Sequence, residues 1–338
     1  MILEGTVLRG PDYEPVEARV TVDDGTIADI EEAETPSEDI ILPAFVNAHT
    51  HLGDSIAKEA GEGLSLEELV APPDGLKHRL LRAADHEEVV AGIRRSLEFM
   101  ASGGTVACIE FREGDVEGVE AIQEAAADVE VDPVVLGRGS AEAMEAADGF
   151  GASGADDADF SRERNATARA GKLFGIHAGE VGPGDINPAL DLDPDFLVHM
   201  VHARQLHLER VADSGMPVVV CPRSNIVTGV GKPPVRELLD RTAVALGTDN
   251  VFLNSPSMFR EMEFTAKLFD VTSTEVLRMA TRAGAAIAGL DCGVVEEGRP
   301  ADILVLDGDS DNLAGAQDLR RAVVRRAGVH DVKRVIRA

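Results

Sequence analysis

The chain has 338 residues, 44% of them hydrophobic, with 61 acidic against 32 basic residues and a formal net charge of −29. Such a polyanion repels phosphate, which argues against nucleic acid as a partner. No apolar run nears the roughly 20 residues that span a bilayer, and three scattered cysteines, Cys108, Cys221 and Cys292, argue against a disulfide framework.

The opening residues "MILEGTVLRG" lack the basic-then-apolar pattern of a signal peptide. With the cysteine usage, this leads us to expect a cytoplasmic protein. The acids are spread along the whole chain, and arginine far outnumbers lysine. We read this as a halophilic surface, one adapted to a high-salt cytosol where screening quiets self-repulsion.

In chain order, "MILEGTVLRG" and "VEARVTVDDGTIADIEE" read as short strands with polar turns. From about residue 40 the pattern changes to strands alternating with helices. The expected strands are "IILPAFVNAH", "TVACIEF", "DPVVLG", a weak one near "DGFGASG", "KLFGIHA", "DFLVHMVH", "MPVVVC" and "AVALGTD". Helical patterns are interspersed with them, as in "HEEVVAGIRRSLEFMAS", "VEGVEAIQEAAAD", "LHLERVADS", "PVRELLD" and "PSMFREMEFTAKLF". Eight such strands predict an α/β fold, a closed (β/α)8 TIM barrel over residues 44–291. An open doubly wound sheet is disfavoured, because no Gly-rich nucleotide fingerprint follows the first strand. The stretches "GVVEEGRPADILVLDGD" and "VHDVKRVIRA" return to strand patterns with no helix between them. Both termini, residues 1–43 and 292–338, are therefore expected to form a small β-sandwich domain.

Placed on these strands, the histidines acquire a pattern. His49 and His51 are two apart, so they face the same side of the first barrel strand at its C-terminal end. "LFGIHAGE" puts His177 at the end of another strand, with Glu180 in the following turn. "FLVHMVHA" puts His199 near the end of the next, and "ALGTDN" puts Asp249 at the end of the last. Four strand ends thus present imidazoles or carboxylates to the mouth where barrel active sites form. His199 and His202 are three apart and point to opposite faces, so only one can enter the barrel. His78, His86, His207 and His330 fall in helical or peripheral segments and read as ordinary histidines.

The stretches "LPAFVNAHTH", "IHAGE", "VHMVHA", "CPRSN", "LGTDN" and "EEGRPADILVLD" resemble, in order and approximate spacing, the amidohydrolase superfamily. The nearest branch is that of the cytosine, guanine and S-adenosylhomocysteine deaminases with the triazine chlorohydrolases. The resemblance covers nearly the whole chain. It implies one divalent metal ion, zinc in preference to iron, held by His49, His51, His177 and Asp249. It further implies Glu180 as proton shuttle, with His199 and Asp249 orienting the nucleophile or leaving group, and its spacing selects His199 over His202. Members with two metals carry a carboxylated lysine on the fourth strand. The region 134–157 contains no lysine, so a single ion is expected. Imidazoles and a carboxylate suit a borderline divalent ion, which lowers the pKa of bound water toward about 7.

The resemblance implies hydrolytic deamination of an aminated heterocycle, a purine nucleoside or free base. Hydrolysis of a cyclic amide, or displacement of a halide, is the alternative on the same site. Arg112 follows the second barrel strand, Arg138 follows the third, and Lys77 and His78 lie in "DGLKHRLL" after the first. These cations could grip a carboxylate or phosphate of the substrate, or could balance neighbouring acids. Asn225 in "PRSN" could hydrogen-bond the base or make a turn. Phe111 and Phe252 are the nearest aromatic platforms for a base, and Asp54 has no assigned role. The only partner these features call for is a small-molecule substrate, and a homo-oligomer is left open.

Overall fold

The structure is a computed structural model that describes residues 1–70 and 74–338. The first three strands, β1 (Ile2–Arg9), β2 (Glu14–Asp23) and β3 (Thr26–Glu32), form an antiparallel meander. The β2–β3 connection is Asp24–Gly25, both with positive φ, the geometry that a tight hairpin selects. β4 (Ile40–Pro43) joins the other edge of β1.

One residue later the chain leaves this sheet for another. Ala44 donates to Asp302 O, whereas Phe45 donates to Gly104 O. β5 (Phe45–His51) thereby opens a second, parallel sheet. It continues with β6 (Thr105–Arg112), β7 (Asp132–Gly137), β8 (Gly149–Ala152), β9 (Leu173–Ala178), β10 (Phe196–His199), β11 (Val218–Val220), β12 (Val244–Leu246) and β13 (Asp249–Asn250). Each of β5 to β11 pairs with the next, β12 pairs with β11, and β13 pairs with β5. Between β12 and β13, Gly247 donates to Val220 O on β11 and Thr248 donates to His49 O on β5. The sheet is thus curled, consistent with a TIM barrel. A Cβ on Gly247 would lie 2.6 Å from that of His49 and 2.9 Å from His49 N, so glycine is what lets this segment cross β5 closely.

The intervening helices follow their apolar stripes. In His86–Ser102, Val89, Val90, Ile93, Leu97 and Met100 are buried on one face. Its start is capped by Asp85, whose side chain accepts from Glu88 N at 2.8 Å, and it stops at Gly103–Gly104. β6 is buried at every position, as expected of a strand covered on both faces.

The far terminus returns to the first sheet. β14 (Ile303–Leu306) pairs antiparallel with β4, and β15 (Val332–Ile336) with β14. The terminal strands therefore form one six-stranded sheet, β15-β14-β4-β1-β2-β3. The expectation that no helix lies between the last strands is corrected: Leu319–Arg325 is a helix, capped by Asp318. Its Ala322, Val323 and Val324 pack into the large core, which draws the segment out of the sheet. No described helix is long and apolar enough to cross a membrane.

Candidate metal centre

The C-terminal ends of β5, β9, β10 and β13 converge. His49, His51, His199 and Asp249 are all buried. The ring centroids of His49 lie 4.9 Å from those of both His51 and His177, and the His177 and His199 rings stack at 5.3 Å. Asp249 Oδ1 is 3.3 Å from His49 Nε2 and 3.5 Å from His51 Nε2. Three overlapping sets, His49–His177–His199, His49–His51–Asp249 and Glu180–His199–Asp249, each bring one ligand atom per residue within 4.8 Å of one another. His49 completes the test of fit: both its ring nitrogens are buried without a hydrogen-bond partner. Orphaned imidazole nitrogens beside a carboxylate are the donor set of a borderline divalent cation.

Outer hydrogen bonds turn the lone pairs inward. His177 Nδ1 donates to Ala152 O at 2.8 Å, which leaves Nε2 as the free donor atom. His51 Nδ1 lies 3.2 Å from Phe111 O and 3.1 Å from Glu113 Oε1. Asp249 Oδ2 accepts from Ser224 Oγ at 2.5 Å, and Oδ1 from Asn250 Nδ2 at 3.0 Å. His199 Nε2 is 3.6 Å from Glu180 Oε2. Burial holds the His49, His51 and His177 imidazoles neutral, with His51 lowered to about 3. Burial alone would raise Asp249, but the close approach of the His49 ring and the surrounding imidazoles hold it well below the usual carboxylate range. Glu180 moves the other way: burial raises it, with His199 opposing and Asp249 reinforcing the shift. Two carboxylates in one pocket are thereby pushed apart in acidity, Asp249 downward and Glu180 upward.

The strand ends carrying His199 (φ 78°) and Asp249 (φ 59°) adopt left-handed backbone conformations. Such conformations cost about 1–3 kcal/mol each and persist where the surroundings over-determine them.

A cavity of about 400 Å³ opens over the cluster. His51, His177, Glu180, His199 and Asp249 line it, together with Lys77, Glu113, Arg138, Asp157, Val181 and Val230. Lys77 and Arg138 therefore reach the mouth, but neither stands alone. Glu113 Oε1 receives Lys77 at 2.8 Å and Arg138 at 2.9 Å, and Lys77 also lies 3.2 Å from Asp54 Oδ2. These cations pull Glu113 well below its ordinary pKa against its burial. Asp54 is thus a buried partner of Lys77, its carboxyl pushed up to about 7 by burial.

The structure does not bring Arg112 to the cavity. Residues along a strand alternate in facing, and Phe111 packs inward on His49, 4.6 Å between ring centroids. Arg112 therefore points outward. Its NH1 would collide with a Cβ on Gly53, and it stands 3.7 Å from Glu110. Asn225 lies behind His199 rather than over the cavity, its Nδ2 3.1 Å from His199 Nδ1. Phe111 and Phe252 are fully buried and do not line the cavity, so neither offers a platform for a base. His202 is half-buried in the turn after β10, and His86 and His207 bond Glu124 and Arg204 N away from the cluster. His78, by contrast, lines the cavity wall and bonds Val70 O. Glu113 has no expected role in the sequence, although it stands one residue past β6 at the same parity as the inward-facing Phe111.

The Amidohydrolase family model matches residues 40–201 and 190–337. The chain belongs to this family. It is 35% identical over 351 residues to a protein named "Putative aminohydrolase" from Methanothermobacter thermautotrophicus, covering 91% of each chain. It is 28% identical to a 5-methylthioadenosine/S-adenosylhomocysteine deaminase of Halobacterium salinarum, covering 98% of this chain and 89% of that one. Its fold matches the crystal structure of an adenosine deaminase from Xanthomonas campestris with bound zinc at a TM-score of 0.77 and 20% identity, over 99% of this chain and 91% of that one.

Proposed function

We propose that this amidohydrolase is a metal-dependent deaminase that hydrolyses an aminated heterocycle, a purine nucleoside or nucleobase, and releases ammonia. The observation that carries the reading is the orphaned His49 beside Asp249, under a cavity that Glu180 also lines. His49, His51, His177 and Asp249 would hold one divalent ion, zinc in preference to iron. Such an ion supplies Lewis acidity, making water a nucleophile near neutral pH.

This chain's own groups do the rest. Glu180, a stronger base than an exposed carboxylate because burial raises its pKa, accepts a proton from the attacking water and delivers it to a ring nitrogen. It then takes the remaining proton from the hydroxyl of the tetrahedral adduct and passes it to the amine, which leaves as ammonia as the C–N bond breaks and the C=O bond forms. Asp249 stays ionised and holds the nucleophile by hydrogen bond, while His199 orients it from the opposite strand. Lys77 and Arg138 present their shared carboxylate, Glu113, to the substrate side of the cavity. The name of the Halobacterium salinarum relative supports a purine nucleoside as substrate. We further take residues 44–291 as the closed barrel, the terminal strands as a sandwich-like domain, and the acidic surface as an adaptation to high salt.

The test is ammonia release from zinc-reconstituted protein against adenosine, 5-methylthioadenosine, guanine and cytosine. Turnover of at least one is expected. Cleavage of a cyclic amide or chloride release from a chlorotriazine, with no ammonia from the panel, would overturn the reading. Glu180→Gln should lower kcat by about 10²- to 10⁴-fold with metal content unchanged.

A further inference from the structure

The segment after β11 holds more buried polarity than a turn requires. Ser224 and Asn225 lie in the short helix Pro222–Val227, are 0% exposed, and stand behind the cavity wall. Ser224 donates to Asp249 Oδ2, which leaves Oδ1 as the oxygen facing His49 and His51. Asn225 Nδ2 meets His199 Nδ1, while His199 Nε2 faces Glu180. Arg223, between them, is turned to Glu261. Its Nε donates to Glu261 Oε2 at 2.7 Å, its backbone N to Oε1 at 3.0 Å, and its NH2 to Ser255 O at 2.6 Å. Glu261 is wholly buried on the helix Met258–Leu268.

A donor fixed on Nδ1 puts the proton of a neutral imidazole on Nε2. His199 then offers an N–H, and not a lone pair, to Glu180 and the substrate. A hydroxyl on Oδ2 holds Asp249 in one rotamer.

We infer that Ser224 and Asn225 are positioning residues that select the Asp249 oxygen and the His199 tautomer presented to the substrate. The kinetic consequence rests on the deaminase reading; the tautomer does not.

The experiment is long-range 1H–15N correlation on zinc-loaded protein with 15N-labelled histidine, the His199 signal assigned from His199→Gln. The wild type should show the Nε2–H tautomer. In Asn225→Asp a carboxylate accepts at Nδ1, so the signal should switch to Nδ1–H and kcat should fall about 10- to 100-fold, with KM nearly unchanged. Ser224→Ala should weaken zinc affinity against a competing chelator by about 10- to 100-fold, and Ser224→Thr should restore it. An Nδ1–H tautomer in the wild type, or Asn225→Asp leaving both tautomer and kcat unchanged, overturns the assignment of Asn225. Unchanged affinity in Ser224→Ala overturns that of Ser224. If Asn225→Asp fails to fold, the wild-type tautomer decides for Asn225, and if Ser224→Ala fails to fold, the zinc affinity of Ser224→Thr, expected to match wild type, decides for Ser224. An Nε2–H tautomer in a protein that deaminates nothing upholds the positioning and removes only the substrate reading.

Discussion

Two buried polar clusters meet at His51, and they reach electrostatic balance by different routes. On one side, His49, His177 and Asp249 gather lone pairs and a negative charge, and both His49 nitrogens lack a hydrogen-bond partner. On the other, Glu113 draws Lys77 and Arg138 onto one oxygen, Lys77 reaches Asp54, and Arg112 stands by Glu110. The second cluster carries its own cations, and the first must take one from outside. Lysines and arginines at the mouth of a barrel are therefore weak evidence for an anionic substrate. They answer first to the carboxylates already buried beside them.

The largest effect is expected where the missing charge would bind. His177→Ala removes an imidazole whose Nδ1 is already committed to Ala152 O. Metal content should fall well below one equivalent, and activity by at least about 10³-fold. Elemental analysis after reconstitution, read beside turnover, checks both. Full occupancy in the variant would separate His177 from the ligand set and break the contrast between the two clusters.

A different loss is expected across the boundary. Glu113→Gln leaves Lys77 and Arg138 buried beside a neutral group, and removing one partner of a buried pair costs about 3–5 kcal/mol. The loss should appear in denaturant midpoints of metal-free protein as well. Because the folded state holds Glu113 below its ordinary value of 4.5, its contribution is fully present above that value. It is lost as pH falls through the lower folded pKa. A variant as stable as wild type at neutral pH would mean that the cations find other partners.

The sequence made one cluster much plainer than the other, for reasons that can be named. His49, His51, His177 and His199 could be read because a strand repeats every two residues and its C-terminal end is a defined place in a parallel sheet. The same parity places Arg112 opposite Phe111, but the charge of Arg112 outweighed its position in the reading. The pairing of Glu113 with Lys77 could not be read, because Lys77 lies in a connection with no sheet register to fix where it folds. β8 was visible only weakly. Its Gly149 and Gly151 give little strand signal, yet side chains there would strike Leu173 O and the Phe111 ring. The helix Leu319–Arg325 was hidden by its arginines, which mask the buried Ala322, Val323 and Val324.

The smallest effect sharpens the comparison most, because it asks whether every carboxylate in the compensated cluster contributes alike. Asp54 touches Lys77 at 3.2 Å, yet both of its oxygens lack a hydrogen bond. Burial raises its carboxyl to about 7, above the ordinary value of 3.8. A raised acid reverses the sign found for Glu113: the fold favours the protonated form, and the penalty for ionising it grows as pH rises from near 3.8 through about 7. Asp54→Asn escapes that penalty, while Lys77 keeps Glu113 at 2.8 Å. The Tm of the variant relative to wild type should therefore rise between about pH 5 and about pH 8, by the equivalent of up to about 3 kcal/mol. Glu110, pushed up to about 8 by burial, gives both proteins a shared residual slope that cancels in the difference. A relative Tm that instead falls with pH would make Asp54 an ionised partner of Lys77 on the same footing as Glu113, and the cluster would then be held by two carboxylates on one lysine.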